Sequence, residues 1–139
     1  MKIYIASSFK NLHAVHSLSI LLEDRGHTVL DWSKFAPPLS PKLTPEQRKI
    51  ALDATERDDI FEFCSESCAH ADLVIYLGPA GQDAACEIGM AYVAGVHTFG
   101  LAGPLEVPGL ILNKAVSKWC RNVDHLLDKV FQHTMKTIN

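Results

Sequence analysis

From Leu73 to Leu105 the chain carries only two formal charges, Asp83 and Glu87. The text there is DLVIYL from Asp72, a Gly-rich turn from Gly78 to Gly81, then DAACEIGMAYVAG. The first run is nearly all apolar, as a strand buried on both faces must be. The stretch after the turn reads as an apolar, small-residue helix opening at Asp83. A carboxylate four residues into such a helix is costly, because buried charge has to be paired, protonated or put to use. Glu87 is therefore the first residue to explain.

Strand–helix alternation of the same kind runs through the chain. Lys2 to Ala6 (KIYIA) is a first strand, and Ser7 or Ser8 is placed to cap the helix that follows. Leu12, Val15, Leu18 and Leu22 recur at helical spacing, and Gly26 supplies the left-handed stop. His27 to Trp32 is a second strand. Ser33 to Lys42, with Pro37, Pro38 and Pro41, is a loop. Thr44-Pro45-Glu46-Gln47 is a capping box with proline at the first helical position, opening helical sequence that continues, with room for a break, to about Ala71. Asp72 to Leu77 is the third strand, the Asp83 helix runs to Gly95, and His97 to Leu101 is the fourth strand. Pro104 to Pro108 is a loop and Val116 to Cys120 a short fifth strand. Asn122 caps a last helix with Val123, Leu126, Leu127 and Val130 on one face. The pattern predicts an α/β fold with a five-stranded parallel sheet in three layers, Rossmann-like or flavodoxin-like. All 139 residues are expected to form one domain.

Composition excludes several classes of function. The net charge is −3 with no basic stripe, which argues against a nucleic-acid polymer as partner. The long uncharged stretch is interrupted by Gly, Pro, Asp83 and Glu87, so no membrane span is expected. MKIYIASSFK lacks the long apolar run of a secretory signal, and Cys64, Cys68, Cys86 and Cys120 are accordingly expected as reduced thiols in a cytoplasm. No GxGxxG or Walker pattern is present.

In parallel α/β sheets ligands bind beyond the carboxyl ends of the strands. Three segments reach that edge: Ser7-Ser8-Phe9, the Trp32 to Pro41 loop, and Gly78 to Glu87. Glu87, read into the first turn of its helix, is favoured there as the ionised carboxylate that a nucleophile needs. Asp83 is most simply the N-cap, with general acid as the sharper role. Tyr4 shares a face of the first strand with Lys2 and Ala6 and, if buried, needs a partner that Glu87 can supply. Ser7, Ser8 and Lys10 could hold a phosphate at a helix N-terminus. Cys64 and Cys68 lack further ligands at metal-binding spacing and read as small buried thiols, and His13 and His16 read as a helix surface. No metal or cofactor is expected.

Taken together, KIYIASSF, ADLVIYLGPAG and DAACEIGMAYVAG resemble the nucleoside 2-deoxyribosyltransferase family, which includes hydrolases of deoxynucleoside monophosphates. The likeness spans nearly the whole chain. It implies a Rossmann-like domain, normally oligomeric, with a neighbouring subunit completing the pocket. It implies Glu87 as nucleophile, Tyr4 as its hydrogen-bonding tyrosine, and Ser7, Ser8, Phe9, Trp32, Gly78 and Gly81 as substrate-binding positions. The implied chemistry is double displacement at C1′ of a small-molecule nucleoside or nucleotide, without a cofactor. Two places where the family carries aspartates are Gly81 and Cys64 here, Trp119 stands near the place of a partner-supplied asparagine, and Phe9-Lys10 near that of a phosphate-loop arginine. A non-catalytic nucleotide-binding or sensor domain of the same fold is the alternative, with hydrolysis of another N-glycosidic nucleotide such as NAD a third. The apolar segment Val107 to Leu112 agrees with oligomerisation.

Overall fold

The computed structural model describes residues 1–35, 39–54 and 57–138. Five parallel strands form one sheet: β1 (Lys2–Ala6), β2 (Thr28–Leu30), β3 (Leu73–Leu77), β4 (His97–Leu101) and β5 (Lys118–Trp119), in the order β2-β1-β3-β4-β5. Six α-helices connect or follow them: α1 (Leu12–Glu23), α2 (Pro45–Leu52), α3 (Asp58–His70), α4 (Gln82–Val93), α5 (Leu110–Ala115) and α6 (Val123–Ile138). This is the expected flavodoxin-like three-layer sandwich. Among the described residues no helix is long and apolar enough to cross a membrane.

Every residue of β3, and all of β1 after Lys2, is buried, which is why those strands read as unbroken apolar runs. Register assigns the faces. Tyr4 lies opposite Val74, and Tyr76 lies opposite both Ala6 and Gly100, so these residues point to one side. Phe99 and His97 point to the other, where their rings meet His133 of α6. Right-handed crossovers put α1 on the α6 side, while α4 packs beside α3 and α5 on the Tyr4 side. Helices on both faces cover the apolar sheet.

Local signals act as their chemistry predicts at several ends. Thr44 Oγ1 accepts from the Gln47 N–H at 3.2 Å, while Gln47 Oε1 accepts from the Thr44 N–H at 3.0 Å, completing the capping box. Asn122 Oδ1 accepts from the His125 N–H at 2.8 Å and starts α6, although Val123 stays exposed beside the buried Leu126, Leu127 and Val130. Gly26 takes φ +88° after α1.

The helical sequence from Thr44 to Ala71 takes the break allowed for it and forms two helices, α2 and α3. Other expectations are corrected. Neither Ser7 nor Ser8 caps α1: Asn11 holds its N-cap position, Ser8 precedes only a short 3₁₀ turn, Phe9–Asn11, and neither Ser8 nor Asn11 makes a side-chain capping bond. Trp32 has left β2 and opens a short 3₁₀ turn, Trp32–Lys34, held by Asp31 accepting from the Ser33 N–H at 2.8 Å. Of the prolines assigned to the following loop, Pro37 and Pro38 lie outside the described residues. Leu110–Ala115 is a helix that the sequence pattern did not announce.

β4 and β5 approach so closely that a Cβ on Gly100 would stand 2.7 Å from the Trp119 ring and 2.9 Å from Val116 Cγ1. Overpacking of that kind costs about 1–3 kcal/mol. Gly100→Ala should therefore lower the unfolding free energy by that amount, read as a lower denaturant midpoint at unchanged slope, and an unchanged midpoint would contradict the β4–β5 packing described.

Candidate active site

β1 and β3 are neighbours, yet the helices that follow them leave on opposite faces of the sheet. The crevice this opens at the carboxyl edge is the place where α/β sheets bind ligands. Two side-chain clips hold its mouth. Ser7 Oγ donates to the Leu77 carbonyl at 2.7 Å, and Asn11 Nδ2 donates to the Pro79 carbonyl at 2.6 Å and to Ser7 Oγ at 3.2 Å.

Glu87 stands at the base of this crevice, buried to 9% exposure. The Tyr4 hydroxyl, projecting from β1 onto the α4 side, donates to Glu87 Oε2. The helix cap lies two residues earlier than the sequence suggests. Gly81 is the N-cap and offers no side-chain bond, so Asp83 is not the cap but an exposed residue of the first turn. Glu87 consequently falls in the second turn, beyond the unpaired N–H groups that would favour its charge. Burial dominates instead and pushes its carboxyl from an ordinary 4.5 up to about 7; donation by Tyr4 works against that, and the Asp83 charge adds to it. Tyr4 is held far above the phenol range by burial and by the charge on Glu87, so it remains a donor.

Around this pair is a cleft of about 470 Å³. Of the residues expected from sequence, Tyr4, Ser7, Ser8, Phe9, Trp32, Gly81, Asp83 and Glu87 all line it. Gly78 does not. It sits instead beneath Glu106, where any Cβ would collide with that carboxylate and lie 2.9 Å from the Tyr76 ring. Glu106 there accepts from the Tyr76 hydroxyl and, at 3.0 Å, from the Gly103 N–H, a second tyrosine–carboxylate pair outside the cleft.

One wall is aromatic. Phe9 and Trp32 meet edge to face at 5.0 Å, and the Trp32 indole N–H donates to the Ile5 carbonyl at 2.6 Å, just past the last β1–β2 pair. Phe35, packed on Phe63 at 5.0 Å, and Ile60 extend that wall. Sequence reasoning did not single out either. It also read Cys64 as a small buried thiol, whereas this half-buried thiol lines the cleft beside Tyr4 and Glu87. Burial pushes the Cys64 thiol up to about 11. Cys68, one turn on, is the buried thiol expected. Lys10 lines the cleft too, and Ser8 Oγ is buried without a hydrogen-bond partner among the described residues. His13 and His16 are exposed on α1, and no group of three or more His, Cys, Asp or Glu among the described residues is arranged to hold a metal.

A carboxylate half-ionised near neutrality, fixed by one oxygen at the foot of a partly aromatic cleft, is equipped to attack an electrophilic carbon bonded to a flat ring. Solved structures of known proteins share the architecture. A 2-deoxyribosyltransferase from Bacillus psychrosaccharolyticus superposes with TM-score 0.64 at 21% identity, over 91% of this chain and 90% of that one. The chain has the fold of a 2-deoxyribosyltransferase. A CMP N-glycosidase from Clostridium botulinum follows the same path with TM-score 0.60 at 15% identity, covering 94% of this chain and 98% of that one. A conserved protein from Enterococcus faecalis V583 gives TM-score 0.58 at 20% identity, with 95% and 98% covered. No protein-family model and no curated protein sequence matches the chain.

The raised carboxyl of Glu87 makes stability depend on pH with a definite sign. Between an unfolded value near 4.5 and a folded value of about 7 the native state holds a proton that the unfolded chain has lost, so stability falls as pH rises through that window. Glu87→Gln removes the effect. Its stability relative to the native chain should grow by roughly 3 kcal/mol between the two ends of the window and then level off. Denaturant unfolding at a series of pH values reads this directly, and a pH-independent difference would contradict the burial described.

Proposed function

We propose that the chain is an enzyme that transfers or hydrolyses the N-glycosidic bond of a deoxynucleoside or its monophosphate through a covalent glycosyl-Glu87 intermediate. The observation that carries this reading is the buried Tyr4–Glu87 pair at the foot of the cleft, with Glu87 Oε1 left for attack. The fold shared with a 2-deoxyribosyltransferase and a CMP N-glycosidase supports it.

In the first step a Glu87 oxygen forms a bond to C1′ of the sugar as the C1′–N bond breaks. The bonding pair departs on the base nitrogen, which takes a proton. In the second step water or an acceptor base attacks C1′, loses its proton, and returns Glu87 as carboxylate. Both steps pass through an oxocarbenium-like transition state, the logic of retaining glycosidases. A 2-deoxy sugar lacks the electron-withdrawing 2-hydroxyl and reaches that state more readily. Tyr4 orients the carboxylate, Asp83 at the cleft wall serves as acid or sugar contact, and Phe9 and Trp32 flank the base. Ser7, Ser8 and Gly81 complete the binding surface. No cofactor or metal takes part. The exposed Leu105, Val107, Leu110 and Ile111 suit a homo-oligomer, in the cytoplasm.

A second reading, a nucleotide-binding domain without turnover, is favoured by Gly81 and Cys64, which put a bare cap and a protonated thiol where the resembling transferases carry aspartates. A panel of deoxynucleosides and their monophosphates, with and without acceptor base, separates the two. Base release or exchange should fall at least a thousandfold in Glu87→Ala, at about the scale of losing a nucleophile. Saturable binding without base release, unchanged in Glu87→Gln, would establish the binding domain instead. The pH–rate profile of the native chain should rise through about 7 as Glu87 ionises, and a flat profile from pH 5 to 9 would contradict the assigned nucleophile.

A further inference from the structure

β1 and β3 are paired as far as Ala6 and Tyr76. Past that point the chains that leave them form two walls of the cleft, with Ser8, Phe9 and Lys10 on one and Gly81, Gln82 and Asp83 on the other. Side chains carry the connection from there. The one Ser7 hydroxyl proton goes to the Leu77 carbonyl at 2.7 Å, so Ser7 Oγ meets the Asn11 amide as an acceptor, at 3.2 Å. The Pro79 carbonyl can only accept, which fixes the Asn11 amide with its nitrogen toward Pro79, at 2.6 Å. A single amide group thereby joins the end of β1 to the turn that leads into α4.

The backbone of Asn11 makes this reach possible. At the N-cap of α1 an asparagine ordinarily accepts from a first-turn N–H. Asn11 instead arrives from a 3₁₀ turn at φ −106° and ψ 20°, outside the extended conformation typical of such a cap, and makes no capping bond. Its amide is turned to another segment. Pro79 is also held from the far side. β4 flanks β3 opposite β1, and Gly103 just beyond it is so close that a Cβ there would stand 2.5 Å from Pro79 Cδ. The turn before α4 is thus fixed by packing on the β4 side and by a hydrogen bond on the β1 side. Asn11 and Pro79 stand outside the cleft lining, and what they fix is the place of Gly81, Gln82 and Asp83 within it.

We propose that Asn11 is a positioning residue for the cleft, setting the distance between its two walls by bonding Pro79 to the end of β1. Through Gly81 to Asp83 that distance governs how tightly a ligand is held. Tyr4 and Glu87 are joined by a bond of their own, so loss of the Asn11 bond weakens ligand affinity and spares the chemical step. The inference deepens the proposed glycosyl transfer and rests on it where turnover is the readout; the fixing of the turn can be followed without substrate.

The test compares the native full chain with Asn11→Asp, which keeps the size of the side chain but has no proton to donate at neutral pH, and with Asn11→Ala. Amide hydrogen exchange followed by NMR reads the turn directly. The Ala85 amide, bonded to the Gly81 carbonyl at 3.3 Å, should exchange about fivefold faster in both variants, the scale of losing one hydrogen bond. Amides of β3, and of α1 beyond its first turn, should stay within about twofold of the native rates. With an uncharged deoxynucleoside as substrate, KM should rise about fivefold in both variants while kcat stays within about twofold, a split that general loss of structure would not produce. Unchanged exchange at Ala85, or faster exchange spread evenly through α1 and β3, would overturn the positioning role. So would a fall in kcat at unchanged KM. Absence of base release from the native chain would overturn the glycosyl-transfer reading, and exchange at Ala85 then decides the role of Asn11 by itself.

Discussion

A carboxylate taken out of water must be given donors or give up its charge, and Glu87 is held between these outcomes. Burial and the Asp83 charge lift it toward protonation, while the hydrogen bond donated by the Tyr4 hydroxyl draws it back to about 7. Much of the surrounding architecture serves that balance. β1 must run through the middle of the sheet for Tyr4 to be buried, and α4 must be apolar for Glu87 to be desolvated. A more exposed Glu87 would be an ordinary surface acid, and a fully sealed one would be a neutral core residue.

The sheet order creates the space in which that carboxylate is reached. Because β1 and β3 are adjacent while α1 and α4 leave on opposite faces, the two loops diverge, and the Ser7–Leu77 and Asn11–Pro79 bonds keep the opening fixed. Trp32 is anchored by its indole to the Ile5 carbonyl, so the aromatic wall is fastened to the same strand that carries Tyr4. Such an arrangement sets the Tyr4–Glu87 pair on a strand and a helix rather than on loops and faces it with an aromatic wall, the preorganisation that the proposed chemistry requires.

The sequence was most legible where burial is on both faces. β1 and β4 have the bounds read from the chain, and β3 differs only by Asp72, whose carboxylate accepts from the Lys2 N–H instead of extending the strand. Glu87 and Tyr4 stood out for a related reason: a charge in an apolar helix and a hydroxyl in a central strand both demand a partner, and they supply one another. The start of α4 was misread because Asp is a favoured cap, whereas here a glycine backbone opens the helix. That two-residue difference matters, since it moves Glu87 out of the favourable first turn and changes the direction expected for its ionisation. α5 escaped notice because six residues with four exposed carry no periodic stripe. The place of Cys64 in the cleft, and of Phe35 and Ile60 in its wall, follows from how α3 and the turn after β2 pack, which no local pattern encodes.

The nucleophilic role of Glu87 is tested most directly by mass spectrometry of the full chain quenched after mixing with a 2′-deoxy-2′-fluoronucleoside, whose electron-withdrawing fluorine slows breakdown of a glycosyl-enzyme. The account predicts one fluorodeoxyribosyl adduct per chain, carried on the peptide that contains Glu87, with base released in equal amount. Release of base with that peptide unmodified, or with the adduct on another residue, would contradict it.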